Sequence, residues 1–304
     1  MKSKLAQMAN IVAAEAARKW RVAWGQYGSR AWVDRGTAAG FSLRQNRKTG
    51  QARIMDEGGA VVFEGGIRAA LHRFGVIAES FSNRRPKECV VIVRGLFLPR
   101  VLFAPLVNKL RRAGYAAVMP YLGTRRDSLT ARAHNLHYFL AHIRCSKTLR
   151  LVGWEAGALI VRRALADEPA WHARLTLKSL VFVSAPMEGF ETASALRRRP
   201  LMRRMYGAFL AQAAGAEPTP RPPCRYAVIA GGRDDAKGYS RSLAGDNDGV
   251  VRVAETGAGA AAAFALVHYW HFVIPMADQT RLLLVRYFRS GRFTALIPLS
   301  RRRR

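Results

Sequence analysis

The sequence predicts an α/β fold in which a mainly parallel sheet carries helices on both faces. Two observations predict it: apolar strands and helices alternate from Cys89 onward, and Gly, Pro or polar turns separate them. The chain has 304 residues, half of them apolar, which is enough for one large α/β domain with an appendage or for two small domains. No apolar run approaches the ~20 residues of a membrane span. The first residues lack the apolar stretch of a signal peptide.

The part of the chain before this alternation is predicted to form an amino-terminal helix and a small β-hairpin. Apolar residues recur at three- and four-residue steps between about residues 3 and 33, which predicts one amphipathic helix. This basic, tryptophan-bearing helix suits a membrane interface, or its apolar face packs on the main domain or on another copy. The turn at Asn46–Gly50 predicts a hairpin, with residues 60–66 as a third strand and a short helix closed by Gly75.

The remaining elements follow in a regular order. The predicted strands are 89–93, 116–120, 148–153, 177–186 and 224–232, and the predicted helices are 102–113, 128–143, 156–166 and 280–288. A basic helix with a Pro-rich loop, residues 199–223, is expected to cap the cleft at the carboxyl ends of the strands. We therefore divide the chain into an amino-terminal extension (1–86), an α/β domain (87–297) and a short basic tail (298–304).

The charge balance indicates an anionic partner. The chain carries 50 basic and 20 acidic residues, a net charge of +30. Such a field attracts an anionic membrane surface, an acidic protein or nucleic acid, although no nucleic-acid-binding motif accompanies the charge. A merely solvated basic surface is the alternative. The scattered cysteines Cys89, Cys145 and Cys224 fit neither a disulfide framework nor a metal site, which predicts a cytoplasmic protein, either free or peripheral on the inner face of the membrane.

Several motifs of the α/β domain occur together in a known order. They are VVIVRGL, GYAAVMPYLGTRRDSL, LVGWEAGALIVRRAL, VFVSAPMEG, NDGVVRVAET and HYWHFVIP followed by YFRSGRF. As a set, residues from about 89 to 293 resemble the lipase and acyl-hydrolase branch of the α/β-hydrolase superfamily. The resemblance covers about two-thirds of the chain and implies that fold and an ester- or lipid-related ancestry.

The resemblance also implies the positions of a catalytic acid and base. Asp248, in Asn-Asp-Gly, matches the family's acid, and His271, 23 positions later, matches its general base. An acid at this place holds the imidazole tautomer and stabilises the imidazolium ion. Asp246 is an alternative acid and His268 an alternative base.

The nucleophile position departs from the family pattern. In LVGWEAG the place of the serine in Gly-x-Ser-x-Gly is taken by Glu155, between Gly153 and Gly157. A carboxylate that attacks an ester carbonyl would form an anhydride, so it does not replace the serine hydroxyl. Carboxylates attack saturated carbon in dehalogenase- and epoxide-hydrolase-like members, but those members usually carry Asp and different surrounding motifs.

A second departure occurs at the first strand of the domain, where Arg94-Gly95 stands in place of the usual His-Gly. Because the two strand ends are neighbours in this fold, we expect Arg94 and Glu155 to form a bidentate ion pair. The former active site would then be a structural lock or a polar binding site. Trp154 and Glu188 are the other residues expected to line it, with a solvated position in the loop as the alternative for Glu188.

Two functions remain in competition. The first is a homologue without serine-hydrolase activity that acts as a binding or scaffolding protein. The alternative is an active hydrolase of an ester or lipid-like substrate that uses Glu155 or a displaced nucleophile such as Ser184 or Ser128. A peripheral membrane protein that binds a lipid-like small molecule is a third interpretation.

No metal or cofactor is predicted. His134, His137 and His142 share one helix, but their spacing and the absence of carboxylate partners favour a surface helix. The pairs Gly65-Gly66 and Gly231-Gly232 lack the context of a phosphate-binding loop.

Overall fold

The structure is a computed structural model that describes residues 31–84, 88–95, 98–124, 126–144, 147–166, 170–188, 200–214 and 224–293, with a few single positions between these ranges. The chain divides into two compact units. The described part of the first comprises residues 31–84, Tyr121–Thr124 and Tyr138–Arg144, and the second contains the other described residues. The predicted amino-terminal helix up to residue 30 and the basic tail lie outside the described residues.

The first unit contains an antiparallel sheet and one helix. Its elements are β1 (Trp32–Ala38), β2 (Phe41–Asn46), β3 (Gln51–Met55), β4 (Val61–Gly66) and α1 (Ile67–Ser80), and the strands lie in sequence order in the sheet. The predicted hairpin is confirmed, since β2 and β3 pair on either side of the turn at Asn46–Gly50. Helix α1 buries Phe74 against a core that includes Leu43 and Ile54.

Two boundaries in this unit differ from the sequence prediction. Residues 32 and 33 belong to β1 rather than to a helix, because this segment pairs with β2 from Trp32 onward. Gly75 does not end α1, which continues to Ser80. The helix continues because Phe74 and Ala78, one turn apart, are both buried in the core of the unit.

Buried polar contacts join later segments to the first unit. Arg44 Nε lies 2.8 Å from Asp34 Oδ1, and Asp34 Oδ2 accepts the backbone N–H of Tyr121 at 2.8 Å. Thr37 and Ile143 form an isolated parallel bridge. Residues 121–124 and 138–144, which the sequence interpretation assigned to the α/β domain, therefore belong to this unit in the structure.

The second unit is built on a parallel sheet of six strands. Its elements are β5 (Glu88–Val93), α2 (Ala104–Arg112), β6 (Ala116–Val118), α3 (Leu129–Ala141), β7 (Thr148–Trp154), α4 (Gly157–Ala166), β8 (Thr176–Val183), α5 (Pro200–Ala214), β9 (Tyr226–Gly231), β10 (Ala263–Val267) and α6 (Asp278–Ser290). The last four residues of α3 belong to the first unit. The strand order is β10-β9-β8-β7-β5-β6, and every adjacent pair is parallel. All carboxyl ends therefore meet at one edge of the sheet.

Apolar layers cover both faces of this sheet. On one face α2 and α6 pack over side chains such as Ile92, Val152 and Ile229. On the other face α4 packs against β5 and β7. The predicted fold class is thus confirmed, with β10 as a strand that the sequence analysis did not assign. None of the described helices is long and apolar enough to cross a membrane.

Candidate functional site

Three ionisable side chains from separate loops meet at the carboxyl edge of the six-stranded sheet. Glu155 follows β7, Asp248 follows β9 and His271 follows β10. His271 Nδ1 lies 2.8 Å from Asp248 Oδ2, and His271 Nε2 lies 4.0 Å from Glu155 Oε2. The exposed fractions are 1% for Glu155 and 0% for the other two. We call these three residues the ion triad.

Glu155 occupies a sharp strand-to-helix turn. Its φ of 50° lies in the left-handed region, which a residue with a side chain seldom adopts unless its surroundings hold it there. The glycines on either side make the turn possible. A Cβ on Gly157 would collide with the carbonyl oxygen of Val93, so only glycine lets α4 begin this close to β5. The Glu155 N–H donates to Val183 O at 2.9 Å and ties the turn to β8.

Asp248 is held by its own turn. Its Oδ1 accepts the backbone N–H groups of Val250 at 3.0 Å and Val251 at 2.8 Å, which leaves Oδ2 for the imidazole. The backbone N–H of His271 donates to the Asp248 carbonyl oxygen at 2.8 Å. The acid and the imidazole are therefore joined through both main chain and side chain, and their relative orientation is determined by the fold.

Asn247 supports this loop and was not identified as a site residue from the sequence. It is fully buried, and its Nδ2 donates to the carbonyl oxygens of Gly245 at 2.8 Å and Ser240 at 3.1 Å. Its Oδ1 accepts the N–H groups of Ser240 at 2.9 Å and Gly249 at 3.0 Å. An Asn within a Gly- and Ser-rich loop is a turn signal, and it could have indicated this role.

The two carboxylates determine the protonation of His271. Burial alone lowers the pKa of an imidazole, but the charge and hydrogen bond of Asp248 and the carboxylate of Glu155 outweigh it and raise the pKa of His271 to about 10. At neutral pH the ring is therefore an imidazolium ion between two carboxylates. Its Nδ1–H donates to Asp248, while the contact with Glu155 is an ion pair longer than a hydrogen bond.

The Glu155 carboxylate lies against the loop that follows β5. A Cβ placed on Gly95 would come within 2.6 Å of Glu155 Cδ, so the carboxylate covers the backbone of this glycine. Glu155 Oε1 is buried and makes no hydrogen bond. The absence of a side chain on Gly95 therefore leaves room for the Glu155 side chain.

The ion pair predicted between Arg94 and Glu155 is not what the structure shows. Arg94 Nη1 donates to the carbonyl oxygens of Gly95 and Leu98, each at 3.3 Å, so the guanidinium follows its own loop. Among the residues that the structure describes, the ionisable partner of Glu155 is His271. The prediction failed because adjacent strand ends bring backbones together, whereas the path of the following loop decides where a long side chain points.

Two other predicted lining residues take different positions. Trp154 is fully buried in the core, where its ring meets Phe103 edge-on with centroids 5.2 Å apart. Alternation along β7 sends it to the apolar face rather than to the site. Glu188 is exposed, and its backbone N–H donates to Glu255 O. The Trp154 side chain therefore belongs to the core, and that of Glu188 faces solvent.

The alternative acid and base have other roles. Asp246 accepts the N–H groups of Arg233 at 2.7 Å and Asp234 at 2.9 Å, so it closes a turn. His268 is exposed, whereas His271 is buried at the site. The acid and imidazole that are in contact in the structure are Asp248 and His271.

The alternative nucleophiles differ from one another. Ser128 Oγ accepts the N–H of Ala131 at 3.1 Å at the start of α3 and acts as a helix cap. Ser184 follows β8 with a φ of 45°, and its buried Oγ makes no hydrogen bond. Its exposed fraction is 0%, so it is closed to solvent.

Two of the three helix histidines have partners of their own. His134 is exposed, His137 Nδ1 lies 3.4 Å from Trp171 Nε1, and His142 Nδ1 lies 2.8 Å from Tyr138 O. In the described part of the chain no group of three or more His, Cys, Asp or Glu residues is arranged to hold a metal ion.

Comparison with known proteins identifies the fold. No protein-family model matches the sequence, and no curated protein matches it. Among solved structures, the mature form of lipase BlEst2 from Bacillus licheniformis aligns over 67% of this chain and 91% of its own, with 15% identity and a TM-score of 0.51.

Two metagenomic enzymes align more loosely. MGS-MChE2, an α/β hydrolase from sediments of the Mar Chica lagoon in Morocco, aligns over 68% of this chain and 93% of its own (16% identity, TM-score 0.46). The carboxyl esterase MGS0156 aligns over 62% of this chain and 66% of its own (19% identity, TM-score 0.45). Three observations point to the same fold: the parallel sheet, the strained turn after β7 and the likeness to BlEst2. This chain therefore has the α/β-hydrolase fold found in lipases and esterases.

Proposed function

We propose that this protein is a lipase-like α/β-hydrolase homologue that lacks serine-hydrolase activity and acts by binding. The observation that carries the proposal is the contact of Glu155 with His271 at the turn after β7. In this fold that turn presents the nucleophile, and here it presents a carboxylate.

The charge state of His271 argues against ester hydrolysis. A general base needs an unprotonated imidazole nitrogen to accept the proton of a nucleophile. With the pKa of His271 raised to about 10, the ring is protonated at neutral pH and has no lone pair for this purpose. Asp248 stands at the position of the acid that assists the catalytic histidine in serine hydrolases. Here its carboxylate helps to keep the proton on His271.

The position of the Glu155 carboxylate is a second argument. In α/β-hydrolases the loop after the strand equivalent to β5 supplies one N–H that stabilises the developing oxyanion. The Glu155 carboxylate lies against Gly95 in this loop. A fixed negative charge there opposes a second negative charge. Since Glu155 is also 1% exposed, a substrate has no direct access to it in this structure.

The net charge indicates the kind of partner. A chain with a net charge of +30 attracts anionic molecules, so an acidic protein or an anionic membrane surface fits this protein better than a basic partner. The fold would then serve as the rigid support of a binding surface, with the ion triad holding the loops together at one edge of the sheet.

Labelling with a fluorophosphonate probe and turnover of short-chain nitrophenyl esters test this function. We expect neither for the wild-type protein. The matched variant Glu155→Ser places a hydroxyl on the same turn, removes one carboxylate from His271 and vacates the space over Gly95 that the longer side chain fills. We therefore expect labelling at residue 155 that disappears when His271→Ala is added. Wild-type turnover or labelling that is lost in His271→Ala would contradict the proposal, and peptide mapping would show whether Ser184 or Ser128 is the labelled residue.

A Glu155-dependent hydrolase is the second candidate, because Glu155 has the strained φ of a nucleophile turn and stands beside a His–Asp pair. In that reaction a Glu155 oxygen would bond to a saturated carbon, the leaving group would depart with its electron pair, and water would hydrolyse the resulting ester. Intact-mass spectrometry after incubation with a bromoalkane or an epoxide tests it. An added alkyl mass on Glu155 would favour this candidate over the binding protein.

A further inference from the structure

Five large apolar side chains are exposed beside the ion triad. They are Val101, Trp270, Phe272, Val273 and Met276. Val101 lies on the short 3-10 helix Arg100–Phe103 and Met276 on the short 3-10 helix Ile274–Met276, and these two helices pack against each other. The five side chains therefore belong to two adjoining segments of the six-stranded unit, which we call the apolar patch.

The backbone holds these side chains in their exposed positions. Residues 270–276 form a series of tight turns, in which Val273 N–H donates to Trp270 O at 2.8 Å and Met276 N–H donates to Val273 O at 2.9 Å. His271, Ile274 and Pro275 are buried, whereas the patch residues of this segment are exposed between and beside them. The rings of Trp270 and Phe272 lie 6.3 Å apart. The exposure is thus a consequence of the fold at the His271 loop.

The exposed fractions are large for such residues: 48% for Trp270, 39% for Phe272 and 58% for Val101. Isolated exposed apolar residues are common on soluble proteins, but contiguous apolar patches mark places of interaction. Trp and Phe at the centre suit a surface with both polar and apolar layers, because aromatic rings settle at the boundary between lipid headgroups and acyl chains.

The charges around the patch select among partners. Arg100 precedes Val101, Arg252 lies in the loop whose Gly249 abuts Trp270, and Arg281 donates to Met276 O. Two acids accompany these three arginines: the buried Glu255 pairs with Arg252, and the exposed Asp278 pairs with Arg281. Basic residues thus outnumber acidic ones at the rim, in agreement with the net charge of +30. That charge repels a second copy of the chain and attracts an anionic surface.

We propose that the apolar patch docks onto an anionic lipid surface, with Trp270 and Phe272 entering the headgroup layer and the excess positive charge of the chain attracting it to the lipid phosphates. This inference rests on the proposed binding function and names its partner as an anionic lipid surface. It concerns a surface outside the ion triad, so its test can fail whether or not the triad cleaves a bond.

Vesicle co-sedimentation of the full chain tests the docking. We expect binding to phosphatidylcholine vesicles that contain phosphatidylglycerol, and weaker binding to pure phosphatidylcholine. The double variant Trp270→Asp/Phe272→Asp should weaken binding on the order of tenfold or more, because two inserted rings are lost. Val101→Asp, on the other segment, should weaken it as well without touching the His271 loop. Val61→Asp, at a residue 47% exposed on β4, is the matched control and should bind like the wild type.

Quenching of tryptophan fluorescence by phosphatidylglycerol with brominated acyl chains locates the contact. We expect Trp270→Phe to lose part of the fluorescence quenching seen in the wild type, because the inserted indole ring is gone. Trp32→Phe should retain the quenching that Trp270 causes. Circular dichroism should show that both variants are folded. The proposal is overturned by folded Val101→Asp and Trp270→Asp/Phe272→Asp proteins that bind as the wild type does. It is also overturned by equal binding to both kinds of vesicle, or by quenching that Trp270→Phe leaves unchanged.

Discussion

Glu155 and His271 form a buried ion pair in which Glu155 Oε2 lies 4.0 Å from His271 Nε2, while Asp248 Oδ2 lies 2.8 Å from the other ring nitrogen. The imidazolium thus stands between two carboxylates from different loops. Because all three groups are buried, each depends on the others to offset its loss of hydration. The triad is therefore expected to behave as one electrostatic unit in stability measurements.

The first prediction concerns the removal of the cation. His271→Ala leaves the carboxylates of Glu155 and Asp248 buried without their counter-charge, so we expect the free energy of unfolding to fall by about 3–5 kcal/mol. Urea denaturation followed by circular dichroism measures it. In a double-mutant cycle with Glu155→Gln, the two changes should couple by roughly 1–3 kcal/mol. Strictly additive effects would show that Glu155 and His271 do not interact.

The second prediction concerns the pH dependence of stability. The pKa of His271 is raised to about 10 in the folded protein, against an ordinary value of 6.5. The folded state therefore holds this proton more tightly, and the resulting stability is fully present below pH 6.5 and lost as the pH rises through 10. Between these values the free energy of unfolding should fall by about 1 kcal/mol per pH unit relative to His271→Gln. Parallel pH profiles of the two proteins would contradict the assignment.

The third prediction concerns the approach of α4 to β5. In Gly157→Ala the new methyl group would meet the Val93 carbonyl oxygen and the Arg94 backbone, neither of which can move without shifting β5. We expect a loss of at least about 2 kcal/mol in the free energy of unfolding. Gly259→Ala is the matched control in the same unit, because nothing lies within 4 Å of the position that its new methyl group would take. Equal effects of the two substitutions would refute the close approach.

The fourth prediction concerns the loop that carries Asp248. Asn247→Ala removes the side chain that bonds Ser240, Gly245 and Gly249, and leaves buried backbone groups without partners. We expect destabilisation of about 2–4 kcal/mol and a lower pKa for His271, since Asp248 is held less firmly. Ser242→Ala, at an exposed position of the same loop, should change neither quantity. If Asn247→Ala were as stable as the wild type and the pKa of His271 were unchanged, the loop would keep its structure without the Asn247 side chain, which would contradict this prediction.

Much of the α/β unit could be predicted from the sequence because its signals are local. Buried strands such as β5 and β9 contain continuous apolar runs bounded by turn residues, and parallel pairing then sends their carboxyl ends to one edge. Strand β10 was missed because it follows an Ala- and Gly-rich segment with little β propensity. Residues 32 and 33 were assigned to a helix because a three- and four-residue apolar spacing continued into β1.

The site could be predicted only in part. The meeting of Asp248 with His271 follows from a motif resemblance that specifies which loops converge. The partner of Glu155 does not follow from this resemblance, because it depends on the directions of side chains in two loops of irregular structure. Arg94 bonds the carbonyl oxygens of its own loop, and Glu155 turns across Gly95 towards His271. Charge complementarity alone suggested Arg94 as the cation, whereas the loop backbones bring Glu155 to His271 instead.

The protonation state of His271 tests the central claim most directly. Nitrogen-15 NMR of the imidazole, recorded between neutral and alkaline pH, distinguishes the imidazolium ion from the neutral ring, and Glu155→Gln is the matched variant. The account predicts an imidazolium that persists at pH 7 and loses its proton near a pH of about 10 in the wild type, with a lower pKa in Glu155→Gln. A neutral His271 ring at pH 7 in the wild-type protein would contradict it.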